Sequence, residues 1–182
     1  MRFIGLWIIL ITLASTCGPA KVIEFVNSDM DFSDYKSYRL INFKSENKDY
    51  SQEGLHLFDQ IEKEIELNMK LKNFTSDRNN PDLIVRYELM STTTTETQRN
   101  YNYYYDPYYY YTPPAQSKNY TDAILLIEFR DKSRKKLVWQ ASLDLRFGKK
   151  TTADLAIKQA VDRIFETYPY EAGSNEKIVK EK

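Results

Sequence analysis

Leu137-Val138-Trp139-Gln140-Ala141-Ser142-Leu143-Asp144-Leu145-Arg146-Phe147 is the stretch on which the fold turns. Successive side chains of a strand point to opposite faces. A period of two therefore sets Leu137, Trp139, Ala141, Leu143, Leu145 and Phe147 on one face and Gln140, Ser142, Asp144 and Arg146 on the other. Sustained over eleven residues, this predicts a strand of a sheet covered on one side only. Before it, across the polar turn Asp131 to Lys135, the run from about Tyr120 to Arg130 alternates in the same way, with Ala123, Leu125, Ile127 and Phe129 inward. After it, Thr151-x-x-Asp154 reads as a variant capping box. Ile157, Ala160, Val161, Ile164, Phe165 and Tyr168 then keep a helical period until Pro169 stops it.

Further upstream the same two periods recur. Lys21 to Val26 and Tyr35 to Phe43 read as strands, the second with Tyr38 and Leu40 on one face and Arg39, Ile41 and Phe43 on the other. Glu53 to Asn73 reads as an amphipathic helix with Phe58, Ile61, Ile65 and Met69 as its apolar stripe. Asn73 is placed to cap it in the left-handed conformation, with Phe74 folding back onto the stripe. Leu83 to Met90 is a further strand with Leu83, Val85, Tyr87 and Leu89 inward. The expected order is β-β-α-β-β-β-α: an α+β two-layer sandwich, about five largely antiparallel strands with two helices packed on one face and the other face partly polar. One domain spans residues 21–170, and residues 171–182 read as a frayed polar tail.

Residues 91–119 interrupt this pattern as a low-complexity insert. Tyr101, Tyr103, Tyr104, Tyr105, Tyr108, Tyr109, Tyr110 and Tyr111 place eight of the fifteen tyrosines within eleven residues. Pro107, Pro113 and Pro114 exclude a long helix or a central strand there. Tyrosine is a large amphipathic contact residue, favoured in recognition loops and at membrane interfaces. The insert is either a binding surface or a neutrally drifting loop, and its candidate ligands are an envelope protein, a lipid headgroup or a glycan.

The first sixteen residues read as an export signal. Arg2 is followed by eleven apolar residues, Phe3 to Leu13, too few for a membrane-spanning helix, which needs about 20. Ala14-Ser15-Thr16-Cys17 follows and resembles the lipobox of bacterial lipoproteins, in which the cysteine is acylated. Ala14 and Thr16 stand where that pattern usually has Leu and a smaller residue. The alternative is ordinary cleavage after Thr16 or Ala20 with a soluble product. On the lipoprotein reading Cys17 anchors the chain to a membrane, and Gly18 at the next position favours the outer membrane facing the periplasm by analogy with sorting rules. Residues 17–20 are then a short tether, with Gly18 to Lys21 reaching about 13 Å when extended.

Composition narrows the function classes. The 182 residues carry 26 Lys+Arg and 26 Asp+Glu; losing residues 1–16 removes Arg2 and leaves 25 against 26, a net charge of −1. That balance gives no electrostatic footprint for nucleic acid. One Cys forms no internal disulfide, and one His with one Cys makes no usual zinc site, so no metal or cofactor is expected. Five Gly leave little material for a phosphate cradle. His56 lies early in the first helix, and no G-x-S-x-G pattern accompanies it, so it reads as a solvated or partly packed structural residue. Glu62, Glu64 and Glu66 read as a charged outer helix face, Asp82 and Asp131 as turn residues capping backbone groups, and Trp139 as core. No catalytic residue is assigned, and a non-enzyme is expected.

Several of these stretches together resemble one family. Asp31-Phe32-Ser33-Asp34-Tyr35-Lys36-Ser37-Tyr38 is similar to the DFSxYKTF lead into the second strand of bacterial envelope lipoproteins with a DUF4136 domain. Asn80-Pro81-Asp82-Leu83-Ile84-Val85 resembles their NPDLLV. Asp131 with Lys136-Leu137-Val138-Trp139 resembles their DxxTxKLVW, and Ala156 to Pro169 resembles their closing helix. The resemblance covers about residues 21–169 and implies a cell-envelope protein with no assigned activity and no catalytic residues to carry over. The family's insert is rich in Tyr, Gly and Trp, whereas this one has Tyr without Gly.

Overall fold

The computed structural model describes residues 21–42, 50–98, 116–146 and 152–178. The elements in chain order are β1 (Val22–Val26), a 3-10 turn (Phe32–Asp34), β2 (Ser37–Asn42), α1 (Gln52–Leu71), β3 (Thr75–Ser76), β4 (Leu83–Gln98), β5 (Gln116–Asp131), β6 (Leu137–Arg146) and α2 (Ala153–Glu166). The strands form one mixed sheet in the order β1-β6-β5-β4-β2-β3. β1/β6, β6/β5 and β5/β4 are antiparallel, whereas β4/β2 and β2/β3 are parallel. This is the expected α+β sandwich with a sixth strand, the two-residue β3, which pairs with Ser37 and Tyr38 just after α1.

The alternation around Trp139 is confirmed: Trp139, Ala141, Leu143 and Leu145 are buried, facing Phe129, Ile127, Leu125 and Ala123 of β5. Val138 is buried as well, beside a register shift between Phe129 and Arg130. Helical periodicity supplies the other half of the core: Ile61, Ile65 and Met69 from α1, and Ile157, Ala160, Val161, Ile164 and Phe165 from α2. Ser51 caps α1 by accepting from Gly54 N–H. The α2 cap is Thr152, one residue later than the capping box predicted, accepting from Leu155 N–H. Asn73 takes the left-handed conformation with φ 65°, and Phe74 returns to the core with its N–H on Met69 O.

The two helices run parallel and side by side. His56 reaches Asp154, Lys158 lies 4.0 Å from Glu64, Asn68 donates to Asp162, and Lys72 Nζ donates to Tyr168 O. Both helix N-termini thus lie at the end of the sheet where β2 and β6 finish, and both C-termini at the end where those strands begin. Three expectations are corrected here. Glu62 and Glu64 do not belong to a solvated face: Glu62 accepts from Tyr87 OH at 2.7 Å and Glu64 is buried, because both point toward neighbouring elements. Residues 91–98 and 116–119 are not loop, since β4 and β5 pair without a break from Leu83↔Asp131 to Gln98↔Gln116. Residues 171–178 are not frayed: Ala172 N–H donates to Lys72 O, Gly173 N–H to Tyr35 O and Ile178 N–H to Pro169 O.

Candidate functional site

The sheet has two unlike ends. At one, the first residues of β2 and β4 and the last of β5 converge, and with them the motifs Asp31–Tyr38, Asn80–Val85 and Asp131–Trp139. Asp82 Oδ2 accepts from Lys36 N–H (2.9 Å), Ser37 N–H (2.8 Å) and Ser37 Oγ (2.8 Å), stapling β2 to β4. Asp131 closes the β5–β6 turn by accepting from Arg134 N–H (2.6 Å) and Ser133 Oγ (2.7 Å), while Lys135 takes φ 56° to complete it. Tyr35 OH reaches across to Asp131 Oδ2 at 2.9 Å. Burial alone would raise both carboxyls. For Asp131 the Arg134 N–H, Ser133 and Tyr35 bonds and the Arg134 charge outweigh it; for Asp82 the Lys36 and Ser37 donors do; both are held below the ordinary value. The Tyr35 phenol is pushed well up, first by burial and then by its bond to Asp131.

These groups line an open cleft of about 440 Å³ with Asp34, Asn80 and Arg134. The carboxylates of Asp82 and Asp131 accept from backbone N–H groups, the backbone-capping role their sequence context predicts, and that of Asp34 accepts from Arg134. Arg134 sits between Asp34 (3.3 Å) and Asp131 (3.6 Å). Ser133 bonds a carboxylate directly, and the chain's single histidine is at the other end of the helix layer, so serine, imidazole and acid do not assemble into a triad in this cleft. His56 Nε2 lies 3.1 Å from Asp154 Oδ1, both half-exposed, linking the two helix N-termini. Behind the cleft, Tyr168 gathers Phe129, Trp139, Phe74 and Phe32 around it, and Phe32 stacks on Tyr170 at 3.8 Å. Trp139 is core, as its register predicts. Among the described residues no group of three His, Cys, Asp or Glu could hold a metal ion.

The other end carries the candidate binding segment. β4 and β5 continue past their partners as a two-stranded ribbon, β4 past Tyr87, its last pair with β2, and β5 past Asp122, its last pair with β6. The ribbon ends at Gln98↔Gln116, so residues 99–115 join its two arms. The eight tyrosines from Tyr101 to Tyr111 and the lipidation candidate Cys17 lie outside the described residues. The described backbone does fix where their segments attach. β1 starts at the ribbon end, because Val22 pairs with Leu143, Leu143 with Leu125, and Leu125 with Leu89. Among the described residues no helix is long and apolar enough to cross a membrane.

A mixed sheet with two parallel helices on one face, closed at one end by motif carboxylates and open at the other as a ribbon, defines an α+β domain of a known type. The family model of a domain of unknown function, DUF4136, matches residues 24–170. The chain belongs to that family. No curated protein matches it. Among solved structures, a PDZ domain protein from Parabacteroides distasonis is 15% identical, with 83% of this chain and 36% of that one covered and a TM-score of 0.55. A PelC dodecamer from Paraburkholderia phytofirmans is 9% identical (85% and 99% covered, TM-score 0.49), and a minor lipoprotein from Acinetobacter baumannii is 8% identical (74% and 92%, TM-score 0.40). The first likeness is one of fold, and this chain spans about a third of that protein's length.

Sequence reasoning missed Tyr35 and Arg134 as partners of Asp131. Both lie within or beside quoted motifs, but only the folded sheet brings residues 35, 82 and 131 to one edge.

Proposed function

We propose that this protein is a lipid-anchored, non-catalytic component of the cell envelope, held through acylated Cys17 at the outer membrane and facing the periplasm. It binds a membrane-associated partner through the tyrosines at the ribbon tip. One observation carries this reading: the ribbon that leads to the Tyr-rich segment leaves the sheet at the same end where the chain comes in from Cys17. The anchor and the contact residues are thereby directed toward one surface. A non-catalytic role is supported by the cleft at the opposite end, where Asp82 and Asp131 are committed to backbone N–H groups.

The test replaces residues 99–115 with Asn-Gly, which suits a two-residue hairpin turn and keeps both arms. Anchored protein with and without this replacement is cross-linked in intact cells. The expected result is a cross-linked envelope protein lost on replacement. The same partner retained without the tyrosines would overturn the assignment to the tip. No protein partner, together with retention on immobilised peptidoglycan or polysaccharide, would replace it with glycan binding. Labelled palmitate on wild-type protein but not on Cys17→Ala checks the anchor separately.

A further inference from the structure

Two lengths decide how the domain can meet a membrane. Val22, Leu143, Leu125 and Leu89 form one cross-strand row. From that row the ribbon runs nine more residues to Gln98, about 30 Å at roughly 3.3 Å per residue. From the same row the chain has five Cα steps back to Cys17, at most about 17 Å. The ribbon therefore extends nearly twice as far from that row as the tether can reach. If the strands stood upright on a bilayer, the ribbon's end would be driven well into the hydrocarbon. Among the described residues neither arm of the ribbon has a second partner strand, and unpaired backbone N–H and C=O groups are not tolerated there. Its arms, Thr92–Gln98 and Gln116–Asp122, are polar apart from Tyr120.

Resting on the reading of Cys17 as the anchor, we infer that the anchored domain reclines. The sheet face opposite the helices lies on the phospholipid surface, Ile23 and Phe25 are its leading contacts, and the ribbon runs along the membrane. β1 is the edge strand next to the tether, so its outward side chains arrive first. Val22 and Val26 pack on the core, which turns Ile23 (69% exposed) and Phe25 (49%) to the opposite face. Farther across that face Met90 (44%) and Ile124 (39%) are directly paired. Among the described side chains, this face carries Arg39, Arg86 and Arg130 against Glu88, Glu128 and Asp144. Glu128 bridges Arg86 at 3.4 Å and Arg130 at 3.0 Å. A face with balanced charge and apolar edges fits a zwitterionic headgroup layer, and seating by it is insensitive to salt. The exposed leucines of the helix layer, Leu55, Leu67 and Leu71 of α1 and Leu155 of α2, stand among Glu53, Lys63, Glu66, Lys70 and Asp154 and lie on the far side of the sheet.

Tryptophan reporters test this cleanly, because Trp139 is fully buried and Trp7 lies before Cys17. The chain from Cys17 onward contains every described element. It is coupled through that thiol, the only one in the sequence, to a maleimide lipid in phosphatidylcholine vesicles containing brominated acyl chains. Seating is thus measured whether or not cells acylate Cys17, and the palmitate experiment reads that separately. Phe25→Trp and Met90→Trp are expected to be quenched severalfold more than Leu67→Trp, equally at low and high salt. Equal or stronger quenching of Leu67→Trp would overturn the inference by putting the helices down. Blue-shifted but unquenched emission from Phe25→Trp would overturn it in favour of a second copy covering this face. No quenching at any position would overturn it by leaving the domain clear of the bilayer.

Discussion

The two ends of the sheet obey different rules. At the motif end, polar groups are paired across distant parts of the chain: Asp82 holds Lys36 and Ser37, Asp131 holds Tyr35, and Asn175 Oδ1 accepts from Phe32 N–H. At the ribbon end, β4 and β5 pair with each other alone among the described residues. The difference teaches what the family's sequence pattern records. Three of the four quoted motifs close the domain at one end. The segment with the most unusual chemistry leaves from the other, where no core depends on it. Closure and contact surface are separable in such a fold, so membership in the family fixes the architecture and leaves the ligand open.

If the motif end is the structural end, its carboxylates should matter most. Asp131→Ala orphans the buried Tyr35 hydroxyl and releases the β5–β6 turn, and should cost about 2–3 kcal/mol in urea unfolding. Asp131→Asn, which keeps an acceptor, should cost less at neutral pH. The sign of the acid dependence follows from the depressed pKa values of Asp131 and Asp82. Their stabilisation is complete above the ordinary carboxyl value of 3.8 and is lost as pH falls through the lowered folded values. Asp131→Asn should therefore flatten the acid limb of the stability curve. An unchanged limb would show that this carboxylate is not part of the closure.

The C-terminal segment sharpens the same contrast with a smaller effect. Gly173 sits at φ 71° with its N–H on Tyr35 O at 2.7 Å, and an added Cβ would stand 3.1 Å from Lys36 Cε. Gly173→Ala should lower stability by about 1 kcal/mol, read by thermal or urea unfolding. A neutral result would mean that residues 171–178 detach readily and add little to the closure.

Much of this was legible in the sequence, because periodicity reports which face is buried. The run around Trp139 and the stripe through Ile61, Ile65 and Met69 place the core on the faces where it is found. Asp82 and Asp131 were readable as caps from their turn context. Three features were not readable, each for a physical reason. β3 is two residues long and is defined by its partner Ser37 rather than by any pattern of its own. The arms Ser91–Gln98 and Gln116–Asn119 carry no apolar alternation in sequence, so a period of two could not reveal them, and only their backbone pairing makes them strands. Residues 171–178 look like a charged tail, and only their backbone bonds to Lys72, Tyr35 and Pro169 give them a place. The candidate site was legible as composition alone: the tyrosines were visible at once, but their attachment beside the incoming chain depends on β1 pairing with β6 at the edge far from β2.

At the helix N-termini, the His56–Asp154 contact is half-exposed on both sides. His56→Ala should change stability by no more than about 0.5–1 kcal/mol, the range of exposed ion pairs. A larger loss would make the junction of the two helices a second closure and blur the contrast between the ends.

The smallest effect on stability should come from the largest change in the chain. Replacing residues 93–121 with Asn-Gly leaves Thr92 and Asp122 flanking a two-residue turn and keeps every strand residue described as buried. An isolated two-stranded ribbon is marginal on its own, so its removal should shift unfolding by no more than about 0.5 kcal/mol. The same change should abolish whatever binding the tyrosines provide and free the anchored domain to stand upright, because the ribbon no longer outreaches the tether. A stability loss approaching that of Asp131→Ala would place the ribbon inside the folding unit. It would also remove the distinction between an end that holds the domain together and an end that meets its surroundings.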